Sequence, residues 1–73
     1  MASVDVKSEI TGTIWKIEVE QGDSVQEEDT LIIIESMKME IPVLAPENGK
    51  VAEILVKEEE AIKEGQLLAR LET

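Results

Sequence analysis

Near the middle of the 73-residue chain a single lysine, Lys38, stands between Met37 and Met39, and the run Glu35-Ser36-Met37-Lys38-Met39-Glu40 has a carboxylate near each end. A lysine amine can bond to an acyl or carbonyl carbon, but only when neutral. With a reference pKa near 10.4, about one lysine in a thousand is neutral at pH 7. Acidic neighbours such as Glu35 and Glu40 are the opposite of the desolvated pocket that activates a catalytic lysine. The chain contains no His, Cys or Tyr to serve as base, so a Ser-His-Asp arrangement is impossible. Two carboxylates could serve a hydrolase, but these two flank a tip rather than line the concave site such chemistry needs. Chemistry at Lys38 must therefore be done by another protein. No catalytic residue is assigned, and the chain is not expected to be an enzyme.

Two apolar, β-branched segments meet at this lysine, Leu31-Ile32-Ile33-Ile34 before it and Ile41-Pro42-Val43-Leu44 after it, which is the signal of a β-hairpin. With Met37 and Lys38 as a two-residue loop, the opposed pairs are Ser36 with Met39, Glu35 with Glu40, Ile34 with Ile41, Ile33 with Pro42 and Ile32 with Val43. Ile32, Ile34, Ile41 and Val43 then share one face, while Glu35, Glu40 and Pro42 share the other. Two local preferences are broken at the tip. Two-residue loops want positive φ at both central positions, hence Asn-Gly or Asp-Gly, yet the residues here are Met-Lys. Glu35 opposite Glu40 also sets like charges across the ladder, at about 0.2 to 1 kcal/mol. Local inconsistency of this kind around an exposed lysine is expected of a functional site, the other reading of the same residues being a solvated lysine in an ordinary turn.

The stretch Glu35 to Glu40 resembles the biotin attachment site of the biotinyl domains, whose usual core is Ala-Met-Lys-Met, with Ser36 standing where alanine is commoner. The resemblance covers nearly the whole chain, so residues 1–73 read as one biotin/lipoyl attachment domain. It implies that Lys38 carries covalent biotin, that Met37 and Met39 are its flanking methionines, and that Glu35 and Glu40 take part in recognition by a biotin protein ligase. The related lipoyl domains usually carry Asp-Lys-Ala, which is absent here; a lipoyl carrier is the nearest alternative. The different-class alternative is an unmodified interaction module in which Met37 and Met39 are adaptable apolar contacts. The implied role is to shuttle carboxylate between a biotin carboxylase and a carboxyltransferase. Tethering makes the second encounter intramolecular, at about mM effective concentration for short flexible linkers.

Composition bounds the remainder. A domain this short buries only roughly 60% of its unfolded surface, so the core is thin. The net charge of −10, with one Trp and no Phe or Tyr, argues against nucleic acid, which needs clustered basic residues and stacking aromatics. The longest apolar run is far short of the ~20 residues that span a bilayer, and the first residues lack the features of a signal peptide, so a soluble cytoplasmic monomer is expected. Glu58-Glu59-Glu60 lacks the spacing and turn glycine of a calcium loop and reads as a solvated turn rather than a metal site.

An internal repeat with an offset of 37 organises the chain: Gly12 matches Gly49, Ile14 Val51, Ile17 Ile54, Val25 Ile62, Leu31 Leu68, Ile34 Leu71 and Glu35 Glu72. Ile14 and Val51 sit at the opposite parity from Ile17 and Ile54, which predicts a bulge in each half. Two such units close a core by packing about a pseudo-twofold axis. The expected fold is all-β, a small flattened barrel or sandwich of two antiparallel sheets; the family resemblance implies the same fold, with the lysine hairpin at one end and both termini at the other. Strands are predicted at 3–8, 13–20, 24–26, 30–36, 39–45, 50–57, 61–63 and 66–72. The predicted core is Ile17, Val19, Val25, Ile32, Ile34, Ile41, Val43, Ile54, Val56, Ile62, Leu67 and Leu71. The family commonly shows Gly-Asp-x-Val-x-x-Gly in each half. Here Glu28 and Glu59 each replace one glycine, at about 1 to 2 kcal/mol if they adopt the left-handed region.

Overall fold

The computed structural model describes residues 2–73; Met1, the first residue of the expected domain, lies outside them. The strands are β1 (Ser3–Lys7), β2 (Gly12–Ile17), β3 (Ser24–Val25), β4 (Thr30–Ser36), β5 (Met39–Leu44), β6 (Gly49–Ile54), β7 (Ala61–Ile62) and β8 (Leu67–Glu72). They form two four-stranded antiparallel sheets, ordered β1-β8-β6-β3 and β5-β4-β2-β7. Adding 37 to the residue numbers turns β1, β2, β3 and β4 into β5, β6, β7 and β8 to within one residue at an end, so each sheet is the image of the other. No helix among the described residues is long and apolar enough to cross a membrane.

The symmetry extends to single hydrogen bonds. The Asp23 carboxylate accepts from the Glu20 amide at 2.9 Å, and Glu60 accepts from the Lys57 amide at 3.0 Å; Asp29 with Gln26 and Gln66 with Lys63 repeat the arrangement. These side chains satisfy turn amides that the short strands leave unpaired. Glu28 (φ 74°) and Glu59 (φ 71°) are left-handed, like their counterparts Gly65 (φ 84°) and Gly22 (φ 95°). The turn geometry thus survives the loss of glycine, at the expected strain.

Bulges decide which side chains reach the core. In β2 the pairing jumps from Ile14↔Ile34 to Lys16↔Ile33, and in β6 from Val51↔Leu71 to Glu53↔Arg70, leaving Trp15 and Ala52 as the extra residues. Ile14 and Val51 thereby turn inward and are fully buried, though neither belongs to the predicted core. A second pair of bulges skips Leu31 and Leu68, which are also fully buried. The bulge corrects the expectation for Leu67: a strict period of two places it inside, but the extra residue gives the inner position to Leu68 and leaves Leu67 half-buried. Val25, Ile32, Ile34, Val56, Ile62 and Leu71 are buried as expected, and Val6, Ala45 and Ala69 join them. Ile17, Val19, Val43 and Ile54 are only half-buried against this core, as is Ile41, because they sit near strand ends or on the edge strand β5. β2 and β6 end three residues earlier than predicted, at Ile17 and Ile54. Fully burying one aliphatic side chain contributes about 1.5 to 3 kcal/mol, so each substitution in so thin a core matters.

Antiparallel pairing also sorts the ends. β4 and β5 run from the Met37-Lys38 turn, Gly12 lies against Ser36, and Lys7 pairs with Leu67 on the same side. Ser3 pairs with Glu72 at the opposite end, where Ala2 and Thr73 exchange backbone hydrogen bonds.

Candidate functional site

The β4–β5 hairpin has the predicted register at every pair from Ser36↔Met39 to Ile32↔Val43. Both loop residues have positive φ, 51° at Met37 and 65° at Lys38, which matches the backbone twist that two-residue hairpins require. Holding two side-chain-bearing residues in this region costs about 1 to 2 kcal/mol each. The strain persists because the flanking ladder fixes the register and because the base of the turn is tied down on its inner side.

That tie comes from residues to which the hairpin pattern does not point. Ser36 is buried, and its hydroxyl donates to the Thr11 carbonyl oxygen at 3.0 Å. The Thr11 hydroxyl in turn accepts from the Glu64 amide at 3.1 Å. Gly12 completes the contact, since a Cβ there would sit 2.6 Å from the Glu35 carbonyl oxygen and 2.8 Å from Ile34 Cγ2. The connections β1–β2 and β7–β8 therefore brace the base of the tip. The sequence signal for Ser36 is that it stands where alanine is commoner; for Gly12 it is the repeat partner Gly49, which meets the Glu72 carbonyl in the same way.

Above this base the tip is open to solvent. Lys38 is exposed, and Met37 and Met39 are 90% and 63% exposed, so the methionines have no role in the core. Glu35 and Glu40 face each other across the ladder and are also exposed. Among the described residues both ion pairs belong to Arg70, with Asp5 at 3.3 Å and Glu53 at 3.0 Å, so the Lys38 ammonium is left in water rather than clamped by Glu35 or Glu40. Glu53 first, and then Asp5, hold the Arg70 pKa above its ordinary value. The structure thus gathers Glu35, Met37, Lys38, Met39 and Glu40 at one end of the molecule. What it offers there is an exposed primary amine on a strained turn.

The Glu58-Glu59-Glu60 run flanks β2, with Glu58 and Glu59 beside Trp15 and Glu35, and has structural work. Glu58 accepts from the Ile17 amide at 3.1 Å, Glu60 accepts from Lys57, and Glu59 occupies the left-handed turn position. Among the described residues no group of three His, Cys, Asp or Glu side chains is placed to hold a metal ion.

A family model described as Biotin-requiring enzyme, the Biotin_lipoyl family, matches residues 1–71. The chain belongs to this biotin/lipoyl family. It is 39% identical over 66 residues to the biotin/lipoyl attachment protein of Bacillus subtilis, covering 90% of each chain. It is 42% identical over 65 residues to a biotinylated protein TB7.3 homologue of Mycobacterium leprae, covering 89% of this chain and 92% of that one. Among solved structures it superposes on the urea carboxylase of Kluyveromyces lactis with a TM-score of 0.92 at 39% identity, over 97% of this chain and 6% of that one. A biotin/lipoyl unit of this size therefore occurs both as nearly a whole protein and as a small part of a much longer carboxylase.

Proposed function

We propose that residues 1–73 act as a single biotin carrier domain in which Lys38 is the attachment residue. The observation that carries this reading is the tip itself: an exposed lysine between two exposed methionines, held at positive φ on a two-residue turn, in a chain of the biotin/lipoyl family. The tip fits a covalent acyl group, because among the described residues the amine has no ion-pair partner to lose and its side chain is exposed to solvent into which an arm can extend. When bound, biotin supplies the ureido nitrogen that carries carboxylate. The chain's own contribution is placement. Lys38 presents its amine to a biotin protein ligase, where it attacks the acyl carbon of biotinyl-adenylate to form the amide with loss of a proton and release of AMP, and the hairpin then holds the arm clear of the domain surface.

The domain itself performs no catalytic step in this reading; its partners are the ligase, a biotin carboxylase and a carboxyltransferase. The carboxylase among the similar structures supports this assignment. The domain works as a cytoplasmic monomer, and a net charge of −10 favours solubility over self-association. Glu35 and Glu40 are exposed and, in this reading, available to the ligase.

Incubation with biotin protein ligase, ATP and biotin, followed by intact mass and peptide mapping, tests the assignment. One biotinyl group on Lys38, and none on a Lys38→Arg variant, is the expected result. Label on Lys16 or Lys63, or no label at all, overturns it. A lipoyl group acquired in preference to biotin when lipoate ligase and lipoate are supplied replaces it with the lipoyl reading.

A further inference from the structure

The internal repeat supplies a control for every outward-facing residue, because each position on one sheet has a counterpart at the same place on the other. On the sheet without the tip, the row across β6, β8 and β1 is Glu53-Arg70-Asp5, closed on itself by two ion pairs. The counterpart row across β2, β4 and β5 of the tip sheet is Lys16-Ile33-Pro42. Pro42 is exposed and Ile33 half-buried, and the extra residue of the adjoining bulge is Trp15, 46% exposed, where the other sheet has Ala52. One row nearer the tip, Thr13-Glu35-Glu40 stands where the other sheet has Lys50-Glu72-Ser3. The fold is satisfied by either set. Among the described residues, the tip sheet alone combines an apolar centre with two facing carboxylates, Glu35 and Glu40, that have no ion-pair partner.

We propose that this outer face, centred on Ile33, Pro42 and Trp15 and edged by Glu35 and Glu40, is the surface by which the ligase holds the domain while it acylates Lys38. The proposal rests on the reading of Lys38 as the attachment residue. Charge selects the occupant. A second copy of a chain of net charge −10 would bring its own Glu35 and Glu40 against these two, whereas a partner with basic side chains relieves the cross-strand repulsion between them. Reach selects the ligase over the carboxylase. An enzyme that acts on the bare amine must close around the tip and touch the strands below it, while the acylated arm carries its far end away from the strands. An enzyme that must release its product needs only a small, transient contact, and two rows of three residues are of that kind.

The test uses the whole domain and biotin protein ligase. In a titration of nitrogen-15-labelled domain with unlabelled ligase, amide signals of Trp15, Lys16, Ile33 and Glu35 should shift while those of Asp5, Glu53 and Arg70 stay in place. The triple variant Lys16→Glu, Ile33→Arg, Pro42→Asp transplants the ion-paired row of the other sheet, a set this fold already accommodates in the same register. Its KM for acylation should rise about tenfold with kcat changed by less than about twofold. Arg70→Ile on the other sheet should leave KM unchanged. Shifts confined to residues 36–40, or an unchanged KM in the triple variant, overturn the docking surface while leaving the carrier reading intact. Concentration-dependent shifts on this face without ligase assign it to a second copy and overturn the choice of partner. Absence of acylation in the wild type overturns the carrier reading and this proposal together.

Discussion

The Ser36 hydroxyl reaches across to the Thr11 carbonyl oxygen at 3.0 Å, joining residues 25 apart in sequence. This bond ties the inner edge of the lysine hairpin to the connection between β1 and β2, and through the Thr11 hydroxyl to the turn at Glu64. Ser36→Ala removes the donor and leaves the carbonyl with one partner fewer. The expected loss is about 1 kcal/mol, which lowers Tm by roughly 4 to 8 °C in a domain of this size. Thermal unfolding by circular dichroism measures it, and an unchanged Tm would mean that water replaces the hydroxyl without loss.

Gly12 and Gly49 separate stability from aim. A Cβ at Gly12 meets the Glu35 carbonyl oxygen at 2.6 Å, and one at Gly49 meets the Glu72 carbonyl oxygen at 2.5 Å. Either substitution to Ala must displace backbone, at about 1 to 3 kcal/mol. Only Gly12 abuts the strand that leads into the tip. Gly12→Ala should therefore slow biotinylation as well as lower Tm, whereas Gly49→Ala should lower Tm alone. Equal initial rates for the two folded variants would show that the base of the hairpin does not aim Lys38.

Glu28 and Glu59 hold the left-handed conformation that Gly65 and Gly22 hold at the matching positions. Replacing either glutamate by Gly relieves about 1 to 2 kcal/mol of backbone strain. The freer unfolded chain takes back about 0.4 to 1 kcal/mol. A net gain on the order of 0.5 kcal/mol per site is expected from urea denaturation, additive in the double variant because the two turns are separate. A loss at either site would mean that the carboxylate makes a compensating interaction.

Exchanging Met37 and Lys38 preserves composition and charge but moves the amine to the other central position of the turn. The two positions project differently, and misplacement of a reacting group by ~1 Å can cost about a hundredfold in rate. Initial biotinylation at equal ligase should fall by at least that factor, with circular dichroism confirming that the swapped variant is folded. Equal rates would mean that the ligase accepts any exposed lysine at this end of the molecule.

The hairpin, its register and the exposure of Lys38 were legible in the residues, because alternation of apolar and polar side chains fixes which strand faces inward and a slip by one would bury Glu35 and Glu40. The repeat with offset 37 likewise determined the two-sheet architecture, since each half presents one apolar face and only the other half is available to cover it. The core was legible only in part. Ile14 and Val51 owe their burial to one pair of bulges, and Leu31 and Leu68 to another; a bulge inserts a residue that local alternation cannot count, so its effect emerges when the partner strand is in place. The brace from Ser36 to Thr11, the close approach at Gly12, and the contrast between Lys16-Ile33-Pro42 and Glu53-Arg70-Asp5 were decided by tertiary structure alone. Each depends on which strands lie side by side, and pairing across tens of residues is set by closure of the common core rather than by any local run of sequence.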